Sequence, residues 1–197
     1  MPVLVPAIEA PCPHIGPAAW MQAIVRVESG GNPLAINVNG SQRLARQPRS
    51  MPEAVATARW LQANGYNFDA GIAQINVANF SRFGLTADTA FDVCRNLQAA
   101  GRLFNADYAV AYRQTHNAVQ AVQDALSMYN TGNKSRGYTN GYVHRVIVAA
   151  TTGTQSPIPL QKKESNPIPP QPASSRAEER STNPQDVFNE RNPKMVY

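Results

Sequence analysis

The 197-residue chain carries 18 Lys and Arg against 13 Asp and Glu, a net charge of +5, and 43% apolar residues. That length holds one domain with a true core plus an appendage, not two full domains. No Lys/Arg run is interleaved with aromatics as in a nucleic-acid groove, and no apolar stretch nears the roughly 18 residues of a membrane-spanning helix. Nucleic acid and a membrane span are therefore set aside.

The first segment, Met1 to Pro13, is apolar, but prolines interrupt it and it has no basic region. It does not read as a complete signal peptide, which leaves open a leader removed earlier or another export route. From Pro17 to Ser29 the pattern is helical, with Pro17 suited to a first turn and Gly30-Gly31-Asn32-Pro33 stopping the helix. Ala35 to Leu44 holds Asn39-Gly40 between short alternating segments, which predicts a small β-hairpin. Pro52 to Asn64 is a second helix with Ala54, Val55, Ala58 and Leu61 on one side, and Gly71 to Phe83 reads as a buried helix.

Asp88 to Tyr112 and Asn117 to Tyr129 continue the helical pattern, the second with Val119, Val122, Leu126 and Tyr129 at helical spacing. Thr131-Gly132-Asn133 breaks the chain before a last helix from Asn140 to Ala150. The expected fold class is mainly α (α+β): a domain over 1–151 with one small hairpin. From Thr152 to Tyr197 lie eight of the sixteen prolines, and Phe188 and Tyr197 are the only aromatics. Too little apolar surface remains there to offset the entropy of ordering it, so 152–197 reads as a disordered, Pro-rich tail. Its Pro157-Ile158-Pro159 and Pro167-Ile168-Pro169-Pro170 favour extended geometry, suited to a spacer. The tail holds six Lys/Arg against five Asp/Glu, so most of the positive charge sits in the domain, where it suits an anionic polymer.

Two cysteines, Cys12 and Cys94, leave two readings open, buried thiols or a disulfide. His14, His116 and His144 show no metal-ligand spacing. Among groups that could carry chemistry, Glu28 shares a helix face with Trp20 and Ile24 at i, i+4, i+8. A carboxyl group there points toward apolar surroundings at a helix C-terminus, and both effects push its pKa up, as a general acid needs. A solvated helix-end glutamate is the plain alternative. Asp69 precedes Gly71-Ile72-Ala73-Gln74-Ile75-Asn76, an apolar stretch with two amides, and could be a helix cap beside core amides. Tyr129, Asn130, Tyr138 and Tyr142 place rings and amides at helix ends, as sugar binding or plain core capping would.

Taken in order, Glu28-Ser29-Gly30-Gly31-Asn32-Pro33, Gly71 to Asn76, Met128-Tyr129-Asn130-Thr131-Gly132 and Gly141-Tyr142-Val143 resemble the motifs of soluble lytic transglycosylases. That family has the lysozyme-like (goose-type/transglycosylase) fold. Ala35 to Gly40 and Ala58 to Gly65 further resemble the subfamily associated with type IV secretion and conjugation, and the likeness spans about Ile15 to Val148. The resemblance implies cleavage of the MurNAc-GlcNAc β-1,4 linkages of peptidoglycan with a 1,6-anhydro product, without metal or organic cofactor. It implies Glu28 as the catalytic acid with Ser29 beside it, Gln74 and Asn76 as substrate contacts, Tyr129 and Asn130 lining the cleft, and Tyr142 near the catalytic carboxyl. Ala73 departs from the methionine many relatives carry there.

Asp69 to Asn76 also resembles the corresponding stretch of animal c-type lysozymes, where an aspartate at Asp69 is nucleophile or ion stabiliser. A Glu28–Asp69 pair about 5–5.5 Å apart would permit retaining hydrolysis instead. A weakly active glycan-binding assembly factor is the alternative outside catalysis. The resemblance implies a periplasmic monomer whose partners are glycan strands and, through the tail, envelope secretion-complex proteins. An oxidising compartment then favours the Cys12–Cys94 disulfide, closing a loop of about 80 residues worth roughly 4 kcal/mol in the chain-entropy model.

Overall fold

A computed structural model of the protein describes residue 12 and residues 17–152. The expected tail, beyond Thr152, and all of Met1 to Pro13 except Cys12 lie outside those residues. The mainly helical expectation holds: α1 (Ala18–Ser29), α2 (Met51–Ala63), α3 (Phe80–Phe83), α4 (Val93–Thr115), α5 (Ala118–Thr131), α6 (Arg136–Thr139) and α7 (Tyr142–Thr151) surround three short strands. The strands β1 (Ile36–Val38), β2 (Phe68–Ala70) and β3 (Ile75–Asn76) form one antiparallel sheet in the order β1-β2-β3.

Local signals explain most boundaries. Gly30 ends α1 in the left-handed region at φ 62°, a conformation glycine adopts without steric cost. The Ser50 hydroxyl caps α2 by accepting from the Glu53 amide, and Pro52 fits its first turn. Asp92 caps α4 through the Arg95 amide at 2.8 Å, so the helix starts at Val93 rather than Asp88 and continues past Tyr112.

Two expectations are corrected. The hairpin is not at Ala35 to Leu44, because β1 pairs with β2 some thirty residues on, Ile36 facing Ala70 and Val38 facing Phe68. On β1's other side the Gln47 side chain takes the place of a strand, accepting from the Ile36 amide and donating to its carbonyl, both at 2.8 Å. The hairpin is instead β2–β3. Gly71 to Phe83 is likewise not one helix, since Gly71 (φ 82°) and Gln74 (φ 52°) force a tight turn before β3. A 3-10 turn over Val77–Asn79 follows, capped by Asn76, and leads into the one-turn α3. α6 is an element the sequence reading did not anticipate.

The core gathers Met21, Ile24 and Val25 of α1, Leu61 of α2, Phe68 and Ile75 of the sheet, Leu97 and Phe104 of α4, Leu126 of α5 and Val146 of α7. Asn96 lies inside it, fully buried and fully engaged. Its amide donates to the carbonyls of Ala70 (3.0 Å) and Ala90 (2.8 Å), and its carbonyl accepts from the Ala73 amide at 2.8 Å. This one side chain ties the Gly71–Gln74 turn to α4. Cys12 and Cys94 are joined by a disulfide with Cα atoms 5.1 Å apart, fixing the chain before α1 to the first turn of α4. No helix among the described residues is long and apolar enough to cross a membrane.

Candidate active site

Two segments, the β2–β3 turn and the start of α7, converge on the end of α1. Glu28 sits in its last turn, half-buried, one residue before the helix ends. Ser29 fastens that end to the β2–β3 turn: its hydroxyl donates to the Ile72 carbonyl at 2.6 Å and accepts from the Gly31 amide at 3.1 Å. The first residue of α7, Tyr142, is 1% exposed and donates its phenolic hydroxyl to Glu28 Oε1 at 2.6 Å. Asn140 holds that helix start by accepting from the Tyr142 amide at 2.9 Å.

Burial raises the Glu28 carboxyl to a pKa of about 7. The Tyr142 hydrogen bond works against that rise, the negative charge of Asp69 adds to it, and Arg145 opposes it. A carboxyl group poised near neutral pH can give a proton in one step and take one in the next. Arg145 itself lies 5.9 Å from the centre of the Tyr142 ring and donates to the Asn140 carbonyl.

Asp69 stands in the middle of β2, also half-buried. Its Oδ1 accepts from Asn76 at 2.8 Å and its Oδ2 from Asn39 at 3.0 Å and, at 3.5 Å, from Asn37. Burial raises its pKa and these amides pull it back. Asp69 therefore lies within electrostatic reach of Glu28, and its charge also reaches Tyr129.

The remaining sequence candidates fall around this pair. Tyr129, near the end of α5, donates to the Ala73 carbonyl at 2.8 Å, and burial holds its hydroxyl firmly protonated. Gln74 spends its amide nitrogen on the carbonyls of Ala35 (3.0 Å) and Gly71 (2.8 Å), so its carbonyl oxygen is what remains for a ligand. Its left-handed backbone is uncommon for a non-glycine residue and is held by those two bonds. Asn76 belongs to the Asp69 cluster. Asn130 is exposed and accepts from the Asn140 side chain at 2.9 Å, linking the end of α5 to the residue after α6.

Sequence reasoning did not single out Asn37, Asn39 or Asn67 as site residues, although Ile36-Asn37-Val38-Asn39 alternates and puts both amides on one face of a strand. It also passed over Asp107 on α4, whose Oδ2 is buried without a partner among the described residues. Burial lifts that carboxyl to about 6, against the pull of Arg82. A separate cavity of about 230 Å³ is lined by Phe83, Gly84, Leu85, Arg95, Gln98 and Arg102. It contains no carboxylate or nucleophile, so the chemistry stays with Glu28. Among the described residues no group of three or more His, Cys, Asp or Glu is placed to hold a metal.

Residues 10–146 match the transglycosylase SLT domain. The chain is 40% identical over 159 residues to the type IV secretion system protein virB1 of Brucella suis biovar 1 (strain 1330), covering 77% of this chain and 66% of that protein. It is 40% identical over 131 residues to protein virB1 of Rhizobium radiobacter (66% and 54%), and 36% identical over 139 residues to protein virB1 of Agrobacterium fabrum (strain C58 / ATCC 33970) (70% and 55%). The chain thus spans between about half and just under two thirds of these relatives' own lengths. No solved structure matches it. With the matched region covering the helical domain and the whole Glu28 site, the chain belongs to the transglycosylase SLT domain family.

Proposed function

We propose that the protein is a peptidoglycan lytic transglycosylase acting outside the cytoplasm, cutting MurNAc-GlcNAc β-1,4 linkages. The observation that carries this reading is the 2.6 Å bond from Tyr142 to a Glu28 carboxyl whose pKa sits at about 7. Glu28, protonated, gives its proton to the glycosidic oxygen as the bond breaks. The sugar left behind develops oxocarbenium character, which its own acetamido group stabilises. Glu28, now a base with Tyr142 bonded to the charged form, takes the proton from the sugar's 6-hydroxyl, and that oxygen closes the 1,6-anhydro ring. No second protein carboxylate is needed as nucleophile or to activate water, a departure from the two-carboxylate scheme.

A second reading, muramidase-type hydrolysis, is favoured by one observation. Asp69 is close enough to act on Glu28 electrostatically and is held by three amides. It would then serve as nucleophile or ion stabiliser while water attacks. Mass spectrometry of purified peptidoglycan after digestion separates the two. Fragments ending in 1,6-anhydro sugars support transglycosylation, and reducing ends alone transfer the assignment to hydrolysis.

The relatives named as type IV secretion proteins support a place in that process, namely local opening of the wall for the apparatus to pass. On this reading the positively charged domain meets anionic glycan as a monomer, and 152–197 tethers it to envelope secretion-complex proteins. Pull-down of envelope components that is unchanged by deleting 152–197 would remove the tether from the account.

A further inference from the structure

The sheet face opposite the core carries a row of amides around a single carboxylate. Asn37 on β1 faces Asp69 on β2, which faces Asn76 on β3, so the three side chains stand side by side across the sheet. Ile36, Val38, Phe68, Ala70 and Ile75, the alternate positions, are buried in the core. Asn76 reaches Oδ1 of Asp69 at 2.8 Å, Asn39 reaches Oδ2 at 3.0 Å, and Asn37 approaches the same oxygen at 3.5 Å. The Asn67 side-chain Oδ1 braces the arrangement, accepting from Asn76 at 2.6 Å and from Asn39 at 3.3 Å.

Two features set this apart from a ladder that merely joins strands. A half-buried carboxylate is costly, and folds usually offset it with a cation. Here neither ion pair among the described residues involves Asp69; they join Arg46 to Glu53 and Arg59 to Asp88. Every bond Asp69 receives is from an NH2 donor, which satisfies the charged form and offers nothing to a carboxylic acid proton. An arginine would hold the carboxylate equally well but cancel its field. Amides fix its direction and leave its charge in place.

We propose that Asn37, Asn39 and Asn76 are positioning residues that aim Asp69 and keep it an anion beside the protonated Glu28. Positive charge developing on the sugar ring then meets a fixed negative charge. The inference rests on the glycan-cleavage reading above. The titratable groups sharing Asp69's field are Glu28 on α1 and Tyr129 on α5, with Tyr142 and Arg145 of α7 acting on Glu28. Glu28 is met by one phenolic hydroxyl and Asp69 by three amides, so acid and anion are assigned by surroundings rather than by residue type.

Asn39 is exposed, and replacing it leaves the core untouched. The test compares the full chain with Asn39→Ala and the isosteric Asn39→Asp, following the Asp69 carboxyl by carbon-detected NMR titration and kcat and KM against pH. Expected in Asn39→Ala are an upward move of the Asp69 titration and of the acid limb of the rate profile, a fall in kcat of about 10-fold and a KM within about 2-fold. Asn39→Asp moves both further, because it exchanges a donor for a second negative group. The alkaline limb, set by Glu28, stays in place in Asn39→Ala.

An Asp69 titration that stays put in both variants overturns the inference, as does a rate loss that is uniform across pH and follows a fall in Tm. Wild-type protein with no activity on peptidoglycan would instead remove the glycan-cleavage reading. The Asp69 titration would still decide whether the amides hold the anion.

Discussion

The hydroxyl of Tyr142, at the first residue of α7, donates to Oε1 of Glu28, in the last turn of α1, at 2.6 Å and across 114 positions of sequence. This bond stabilises the ionised carboxylate and offsets part of the rise that burial imposes. Tyr142→Phe removes it while keeping the buried ring. The expected result is an alkaline limb displaced above about 7, with kcat about 10- to 100-fold lower, because the carboxylate left behind when Glu28 gives up its proton is less stable. The pH dependence of kcat/KM on a defined muropeptide substrate checks both.

Glu28→Gln is expected to cost at least about 10³-fold in rate, the upper range of general acid–base contributions. Its effect on stability runs the other way. The folded pKa, about 7, lies above the ordinary 4.5, so the fold favours the protonated acid. The penalty for carrying the charge is absent below about 4.5 and full above about 7. The Gln variant should therefore be more stable than wild type at pH 8, by about 2–3 kcal/mol, and indistinguishable at pH 4. Urea unfolding at the two pH values measures this.

Asp107 follows the same sign without any loss of activity. Its carboxyl has a buried oxygen lacking a partner among the described residues, and burial holds its pKa at about 6, above the ordinary 3.8. Asp107→Asn removes a charge the fold disfavours. Stability at pH 8 should rise by about 1–2 kcal/mol, the attraction to Arg82 trimming the gain. The difference should vanish near pH 3.5, as thermal unfolding across pH will report.

Gly71 shapes the turn on which the site is built. Its φ of 82° disfavours any side chain, and an added Cβ would meet the Ala90 carbonyl oxygen and the Asn96 amide nitrogen, each at 2.3 Å. Asn96 cannot yield without giving up its bonds to Ala70, Ala73 and Ala90. Gly71→Ala should cost more than about 3 kcal/mol, combining backbone strain with a broken buried network. A denaturant midpoint equal to wild type would contradict that.

The sequence was most legible where a signal is local. The Gly30 stop after α1, the Pro52 start of α2 and the Thr131-Gly132-Asn133 break after α5 all fall where short-range chemistry puts them. The position of Glu28 on an apolar face was equally readable, since it follows from helical spacing alone. What stayed hidden was long-range. Asn39-Gly40 carries the marks of a hairpin turn, yet the Gln47 side chain satisfies the Ile36 backbone and leaves β1 to pair with β2. The left-handed Gln74 breaks what otherwise reads as a helix, and while its bond to Gly71 is local, its bond to Ala35 reaches across 39 positions of sequence. The amides around Asp69 come from β1 and the residue after it and from β3, so only the pairing of the strands brings them to the carboxylate.

The central claim is that Glu28 remains protonated up to about neutral pH in the folded protein. The most direct measurement is a titration of its side-chain carboxyl carbon by NMR in the full chain, assigned against Glu28→Gln. The account predicts a midpoint of about 7 that coincides with the alkaline limb of the rate profile. A midpoint near the ordinary 4.5, in protein that still cleaves peptidoglycan at neutral pH, would contradict it.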